Sequence, residues 1–197
     1  LTRFIFPEAD DPVLSYLDDD GTVVEPEFYV PIIPFALTNG ISGIGTGFSC
    51  SIAPYNPTTI IQYLKTKLTK NDCTAIDFVP YYEGFTGTVR KVADQKYLVK
   101  GVYEKIADDK IRITELPVGT WTMPYTSYLE TLVDGAINAK TGKKSPPVIK
   151  DFTSVSTEVS VDFVVVFHRG QLAELEQTMD DNQCNGVEKL LKLQKKR

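Results

Sequence analysis

Three glycines at alternate positions, Gly43, Gly45 and Gly47, enclose Ile44 and Thr46 in a chain of 197 residues. Glycine has no Cβ, so it enters φ > 0 without penalty and lets the backbone lie close to something large. Ile44 is therefore a stiff apolar side chain between two residues that have none. Such a stretch suits a packed turn, a phosphate cradle, or a wedge pushed between stacked bases. No Gly-Lys-Ser/Thr follows, as a P-loop needs, and no helix begins directly after it, as a dinucleotide-binding turn needs. On spacing alone a structural turn ranks first, a close-approach binding loop second, and catalysis last.

A second stretch, Glu115-Leu-Pro-Val-Gly-Thr-Trp-Thr122, carries the one tryptophan of the chain. It reads as a strand-to-helix connection whose helix N-terminus would face an anion, with Thr120 and Thr122 offering hydroxyls to phosphate. The competing reading makes Trp121 a cap on the core. His168 is the one histidine, and no Cys or His stands at ligand spacing from it, so no metal site is expected. The same histidine would have to serve any nucleophilic triad, and no G-x-S-x-G elbow is present. Three cysteines, Cys50, Cys73 and Cys184, form no CxxC pair and are odd in number, which points to a reducing compartment.

The elements that must position these residues follow from periodicity. Leu1–Phe6 reads as a helix end stopped by Pro7. The acidic connection 8–22 has a turn at Asp20-Gly21 and a short helical turn at Val13-Leu14 and Tyr16-Leu17. Asn56-Pro57 starts a helix to about Lys70 that buries Ile60, Ile61, Leu64 and Leu68. From 85 to 115 the period becomes two, predicting an antiparallel meander. Pro124 opens a helix with Tyr125, Tyr128, Leu129, Leu132 and Val133 on one face and Gly135 past its end. Lys140, Lys143 and Lys144 lie in a basic loop, 139–147. A long strand runs from Val159 to Phe167, and helices follow at Leu172–Met179 and Val187–Gln194. The class is α+β, an antiparallel sheet with packed helices.

Composition is that of a globular protein, 42% hydrophobic and 24% charged, with room for one substantial core. The longest unbroken apolar run, 163–167, is too short to span a bilayer, and no membrane partner is expected. The net charge is −5, but residues 1–28 hold eight acids and one base, a net of −7 that leaves the rest at +2. A near-neutral body can present a basic face without demanding nucleic acid. The chain starts at Leu1 rather than Met and stops in a basic run, 190–197, so it reads as a fragment of a longer protein.

The run Glu25-Pro-Glu-Phe-Tyr-Val-Pro-Ile-Ile-Pro34, then Asn39-Gly40, then Gly43-Ile-Gly-Thr-Gly-Phe-Ser49, closely resembles the breakage-reunion region of eukaryotic-type DNA topoisomerase II, a type IIA enzyme. Leu1-Thr-Arg-Phe-Ile-Phe6, Phe85-Thr-Gly-Thr88 and Glu115-Leu-Pro-Val-Gly-Thr-Trp-Thr122 match the same family in the same order. A bacterial enzyme of the gyrase type fits less well, because the Leu-Pro-x-x-Thr-Trp and Glu-Pro-Glu runs are eukaryotic in character.

The resemblance implies an ATP- and Mg²⁺-dependent enzyme that cuts one duplex, passes another through the break and reseals it. It places the nucleophilic tyrosine, the magnesium-binding domain and the ATPase upstream of Leu1, leaving no catalytic residue, metal or cofactor to these 197 residues. Residues 1–29 would be the tail of a winged-helix domain and 30–197 the tower domain. The family's intercalating isoleucine corresponds to Ile44, with Gly43 and Gly45 letting backbone approach the minor groove. Its DNA-backbone tryptophan corresponds to Trp121, beside Thr120. Double-stranded DNA is the expected partner and the parent enzyme a homodimer, nuclear if cellular, or in the host cytoplasm or nucleus if viral. The alternative is a non-enzymatic architectural module that bends DNA with the same loop. Phe28 and Phe48 stand where the family has tryptophan, Ile41-Ser42 replace Ala-Glu, and Gly119 replaces an arginine. These departures suggest a divergent lineage, a large DNA virus or a protist.

Overall fold

A computed structural model describes residues 2–69, 72–94, 96–135, 145–157 and 159–197. Leu1, Gln95 and the lysines of the expected basic loop, Lys140, Lys143 and Lys144, lie outside the described residues. The chain divides into two compact units, Leu1–Tyr82 and Glu83–Arg197. Helices and antiparallel strands make up both, as the α+β reading expects.

The first unit opens with α1 (Thr2–Ile5), stopped at Pro7, and a 3-10 turn over Glu8–Val13. Strands β1 (Tyr16–Asp19) and β2 (Thr22–Pro26) then pair around Asp20-Gly21, both residues at positive φ. Two positive φ values make the turn whose twist suits a hairpin, and the Gly21 N–H caps it on Asp18 Oδ1 at 2.7 Å. Tyr16 and Leu17 are therefore strand residues, not the helical turn expected of them: the Asp-Gly turn recruits the residues before it into pairing. The proline-studded run leads into α2 (Phe35–Asn39), ended by Gly40 at φ +69°. Strands β3 (Ile41–Gly45) and β4 (Phe48–Ile52) form a second hairpin. Helix α3 (Pro57–Leu68) begins as expected, with Asn56 accepting from the Thr58 N–H at 2.8 Å. Of its four apolar residues only Ile60 is buried; Ile61 and Leu68 are exposed.

The second unit holds the main core. Strands β5 (Thr88–Ala93), β6 (Lys96–Lys100), β7 (Val102–Ala107) and β8 (Lys110–Glu115) lie where the period-two pattern puts them, but not as one meander. β5 and β6 join β11 (Gln194–Lys196) in one sheet, while β7 and β8 join β10 (Phe163–Val166) and β9 (Asp151–Ser154) in another. The switch occurs at Gly101, where a Cβ would collide with the Glu115 carbonyl, so only glycine lets this corner lie on the end of β8. Helix α4 (Thr122–Asp134) packs Tyr125, Leu129 and Leu132 onto the core formed with Ile111, Ile113, Phe163 and Val165. Tyr125 meets the Phe163 ring edge-on at 5.3 Å between centroids.

The long strand expected from Val159 shortens to Phe163–Val166, with Val159 exposed, because β9 pairs only that part. Helix α5 (Gln171–Gln177) is as expected, but α6 (Gly186–Leu190) stops early. Lys192 turns to φ +50° and the Leu193 N–H bonds the Glu188 carbonyl at 2.8 Å. This closing motif usually advertises itself with glycine, and here a lysine holds the left-handed position. The residues beyond it are freed to become β11.

Candidate nucleic-acid interface

In the first unit the glycine stretch is a two-stranded hairpin: Gly43 faces Cys50, Ile44 faces Ser49, and Gly45 faces Phe48. Gly47, at φ +79°, makes the tight turn. Ile44 is 93% exposed, one residue from the turn-side end of β3. Gly43 and Gly45 have another significance. A Cβ on Gly43 would meet nothing within 4 Å, and one on Gly45 would only graze the Phe48 carbonyl at 4.0 Å. Neither glycine is required by packing or by a left-handed backbone within this hairpin. Glycine inside a strand costs stability and marks places where another body comes close. The arrangement is an exposed ribbon: Gly43 and Gly45 share one face with Cys50 and Phe48, and Ile44 stands on the other beside Ser49. Its geometry does not cradle phosphate, since successive amides of an extended strand point to opposite edges and do not converge on one anion.

In the second unit, Pro117 to Thr120 turns on Gly119 at φ +75°, with the Thr120 N–H bonding the Pro117 carbonyl at 2.9 Å. A positive φ at the third residue is the signature of a type II turn. Trp121 then caps α4 with its backbone, and no side chain caps the first turn. Trp121 is 75% exposed, so it is not the core cap that was one of its two readings. Thr120 is half-buried beside it. The helix is fixed from below: the Tyr125 hydroxyl donates to the Leu191 carbonyl at 2.7 Å, and the Tyr128 hydroxyl to that of Leu190 at 2.6 Å. Lys192 lies over the Tyr128 ring at 3.7 Å. Burial pushes the Tyr125 phenol far above its ordinary range, so it stays a neutral donor.

The two sets of residues, Gly43, Ile44 and Gly45 on one side and Thr120 and Trp121 on the other, thus belong to different compact units. Spacing does not single out Phe48, 84% exposed at the hairpin end, or exposed Met123 in the first turn of α4. Their signal is visible only once the ribbon and the helix start are known. Among the described residues no group of three or more His, Cys, Asp or Glu could hold a metal ion. Nor is any described helix long and apolar enough to cross a membrane. Cys50 is exposed, Cys73 partly so and Cys184 buried, none of the three in a disulfide.

A family model for the A subunits of DNA gyrase and topoisomerase IV matches residues 1–196. The chain is 40% identical over 176 residues to DNA topoisomerase 2 of Pisum sativum, covering 89% of this chain and 12% of that protein. With human DNA topoisomerase 2-alpha it shares 36% over 195 residues, 98% of this chain and 12% of that protein. The fold is similar to a crystal structure of the Plasmodium falciparum topoisomerase II DNA-binding, cleavage and re-ligation domain. That match has a TM-score of 0.79 and 34% identity over 98% of this chain and 24% of the other. The chain thus spans about an eighth of the length of these curated relatives.

Proposed function

We propose that this chain, which belongs to the family of DNA gyrase and topoisomerase IV A subunits, serves a type IIA DNA topoisomerase by holding and bending the duplex to be cut. The observation that carries the reading is Ile44, an almost fully exposed isoleucine on a ribbon whose flanking glycines have no structural need to be glycine. An apolar side chain left in water gains by entering a base step. Unstacking the step costs a few kcal/mol, which a bent duplex offsets through added protein contacts. Gly43 and Gly45 let the ribbon backbone reach the floor of the minor groove. Thr120 and Trp121 contact the DNA backbone. The relatives, named as topoisomerases, favour this reading over a non-enzymatic bending module.

Residues 1–29 are, on this proposal, the tail of a winged-helix domain and 30–197 the tower domain. The parent enzyme acts as a homodimer on double-stranded DNA, in the nucleus if cellular and at the replication site of a large DNA virus if viral. Its ATP and Mg²⁺ do not fit the residues here: the glycine stretch lacks a P-loop lysine, and no described acidic cluster could hold the ion. The nucleophilic tyrosine likewise belongs to another part of the enzyme, so the role of this segment is positioning.

Ile44→Ala in the full-length enzyme tests the reading. The substitution removes three carbons from the wedge, about 2.4 kcal/mol at ~0.8 kcal/mol each, or roughly 60-fold in the bent, cleavage-competent complex. Because Ile44 is exposed, Tm should move by no more than about 0.5 kcal/mol would allow. Bending measured by fluorescence transfer between labelled duplex ends, and cleavage, should both fall. Wild-type bending and cleavage would sink the assignment.

A further inference from the structure

The turn that presents Trp121 has no charge of its own, and Gly119 at its centre carries no side chain. Two cations reach it from some 76 residues away in sequence. The Lys195 ammonium donates to the Gly119 carbonyl at 3.1 Å, and Arg197 Nη2 donates to the Val118 carbonyl at 2.9 Å. Gly119 leaves room for the guanidinium where it lies: a Cβ there would collide with Arg197 Nη2 unless that side chain shifted, and would stand in ordinary contact with Lys195 Nζ at 3.6 Å. Strand β11 fixes their direction. Lys195 pairs with Val99 of β6, and Arg197 exchanges both backbone hydrogen bonds with Tyr97, at 2.7 and 2.8 Å. Alternation along a strand then puts Lys195 and Arg197 on one face and Lys196 on the other. Both residues are exposed, and Lys195 makes no ion pair among the described residues.

We propose that Lys195 and Arg197 form, around the Gly119 turn and beside Trp121, a contact site for the phosphate backbone of duplex DNA. The inference rests on the DNA-holding reading above and adds residues to it. The two side chains bring positive charge to the turn in a fixed place, because each is anchored to a backbone carbonyl. A lysine has three donors, so the one that Lys195 spends on a carbonyl does not exhaust it, and Arg197 brings a permanent positive charge beside it. A phosphate lying across the turn would meet the two cations and the indole together. The contact carries no base information, so it should position the duplex without selecting its sequence.

The test measures binding of this chain to a double-stranded oligonucleotide across a salt series. Each phosphate neutralised contributes about 0.9 to the slope of log affinity against log salt. The Lys195→Gln/Arg197→Gln pair should therefore flatten the slope by about 1.8, equivalent to about 12-fold less salt sensitivity between 50 and 200 mM salt. The loss should be equal for oligonucleotides of different sequence, and Lys196→Gln should leave the slope unchanged. Should the double variant fail to fold, Lys195→Gln alone should flatten the slope by about 0.9. A wild-type slope in the folded double or single variant overturns the site. So does an equal flattening by Lys196→Gln, which would indicate diffuse charge. If the unsubstituted chain binds no duplex, the DNA-holding reading falls and this site with it; binding with an unchanged slope removes this site alone.

Discussion

Tyr125→Phe should destabilise the second unit far more than Tyr128→Phe, although each removes one hydroxyl from the same helix. Tyr125 is buried and edge-on to Phe163, and its hydroxyl donates to the Leu191 carbonyl at 2.7 Å. Phenylalanine keeps the ring contacts and deletes only that donor. The carbonyl it abandons lies where water has little access, so the cost is that of a buried unsatisfied acceptor, about 1–3 kcal/mol. At roughly 4 °C per kcal/mol for a unit of this size, Tm should fall by about 4–12 °C. Tyr128 is only half-buried, and water can replace its bond to Leu190, so its loss should cost about 0.5 kcal/mol.

The pH dependence supplies a second readout. Burial raises the Tyr125 phenol above its unfolded value, so its contribution is complete below about pH 10 and declines as pH rises further. The wild-type curve should fall above pH 10 by up to about 1.4 kcal/mol per unit from this group, and Tyr125→Phe should lose that part of the slope. Thermal melts of both variants from pH 7 to 11 check this. Equal Tm values for the two, or an alkaline slope identical to wild type in Tyr125→Phe, would refute the reasoning. These two hydroxyl bonds hold α4, which follows Trp121, against the segment leading into β11, so on the proposed function they would also position Trp121.

Gly101→Ala should cost about 1–3 kcal/mol, because the added Cβ drives the β6–β7 corner off the Glu115 carbonyl; a melt within 1 °C of wild type would show that the corner is not tight. Asp180 is held below the usual carboxylate range by the Cys184 N–H, with help from Lys189 and the Asn182 N–H. Its folded pKa is depressed, so its stabilisation is present above about pH 4 and lost as pH falls through the lower folded value. Asp180→Asn should therefore shrink the Tm drop between pH 5 and 2.5, and an undiminished drop would remove Asp180 from the account.

The local rules carried much of the architecture. Asn56-Pro57 starts a helix because side-chain cap and fixed φ act within three residues, and Asp20-Gly21 turns a hairpin for an equally local reason. The apolar face of α4 could be read directly from its spacing, and the ordered motifs around Ile44 and Trp121 marked the family. Sheet membership could not be read that way. β6 and β7 are one residue apart yet lie in different sheets, because a contact between Gly101 and Glu115 decides where the chain turns.

The end of α6 was hidden for a different reason: a lysine, not a glycine, takes the left-handed position, so a helical pattern of leucines conceals a strand. Burial was beyond the sequence as well. Leu68 has the spacing of a core residue and is exposed, whereas Trp121 was balanced between core and surface until α4 placed it outside. Composition and short-range spacing determine which elements form. Whether Gly43 and Gly45 are needed by the fold, and which cations gather at Gly119, depends on atoms brought together from distant residues. Only tertiary structure decides those.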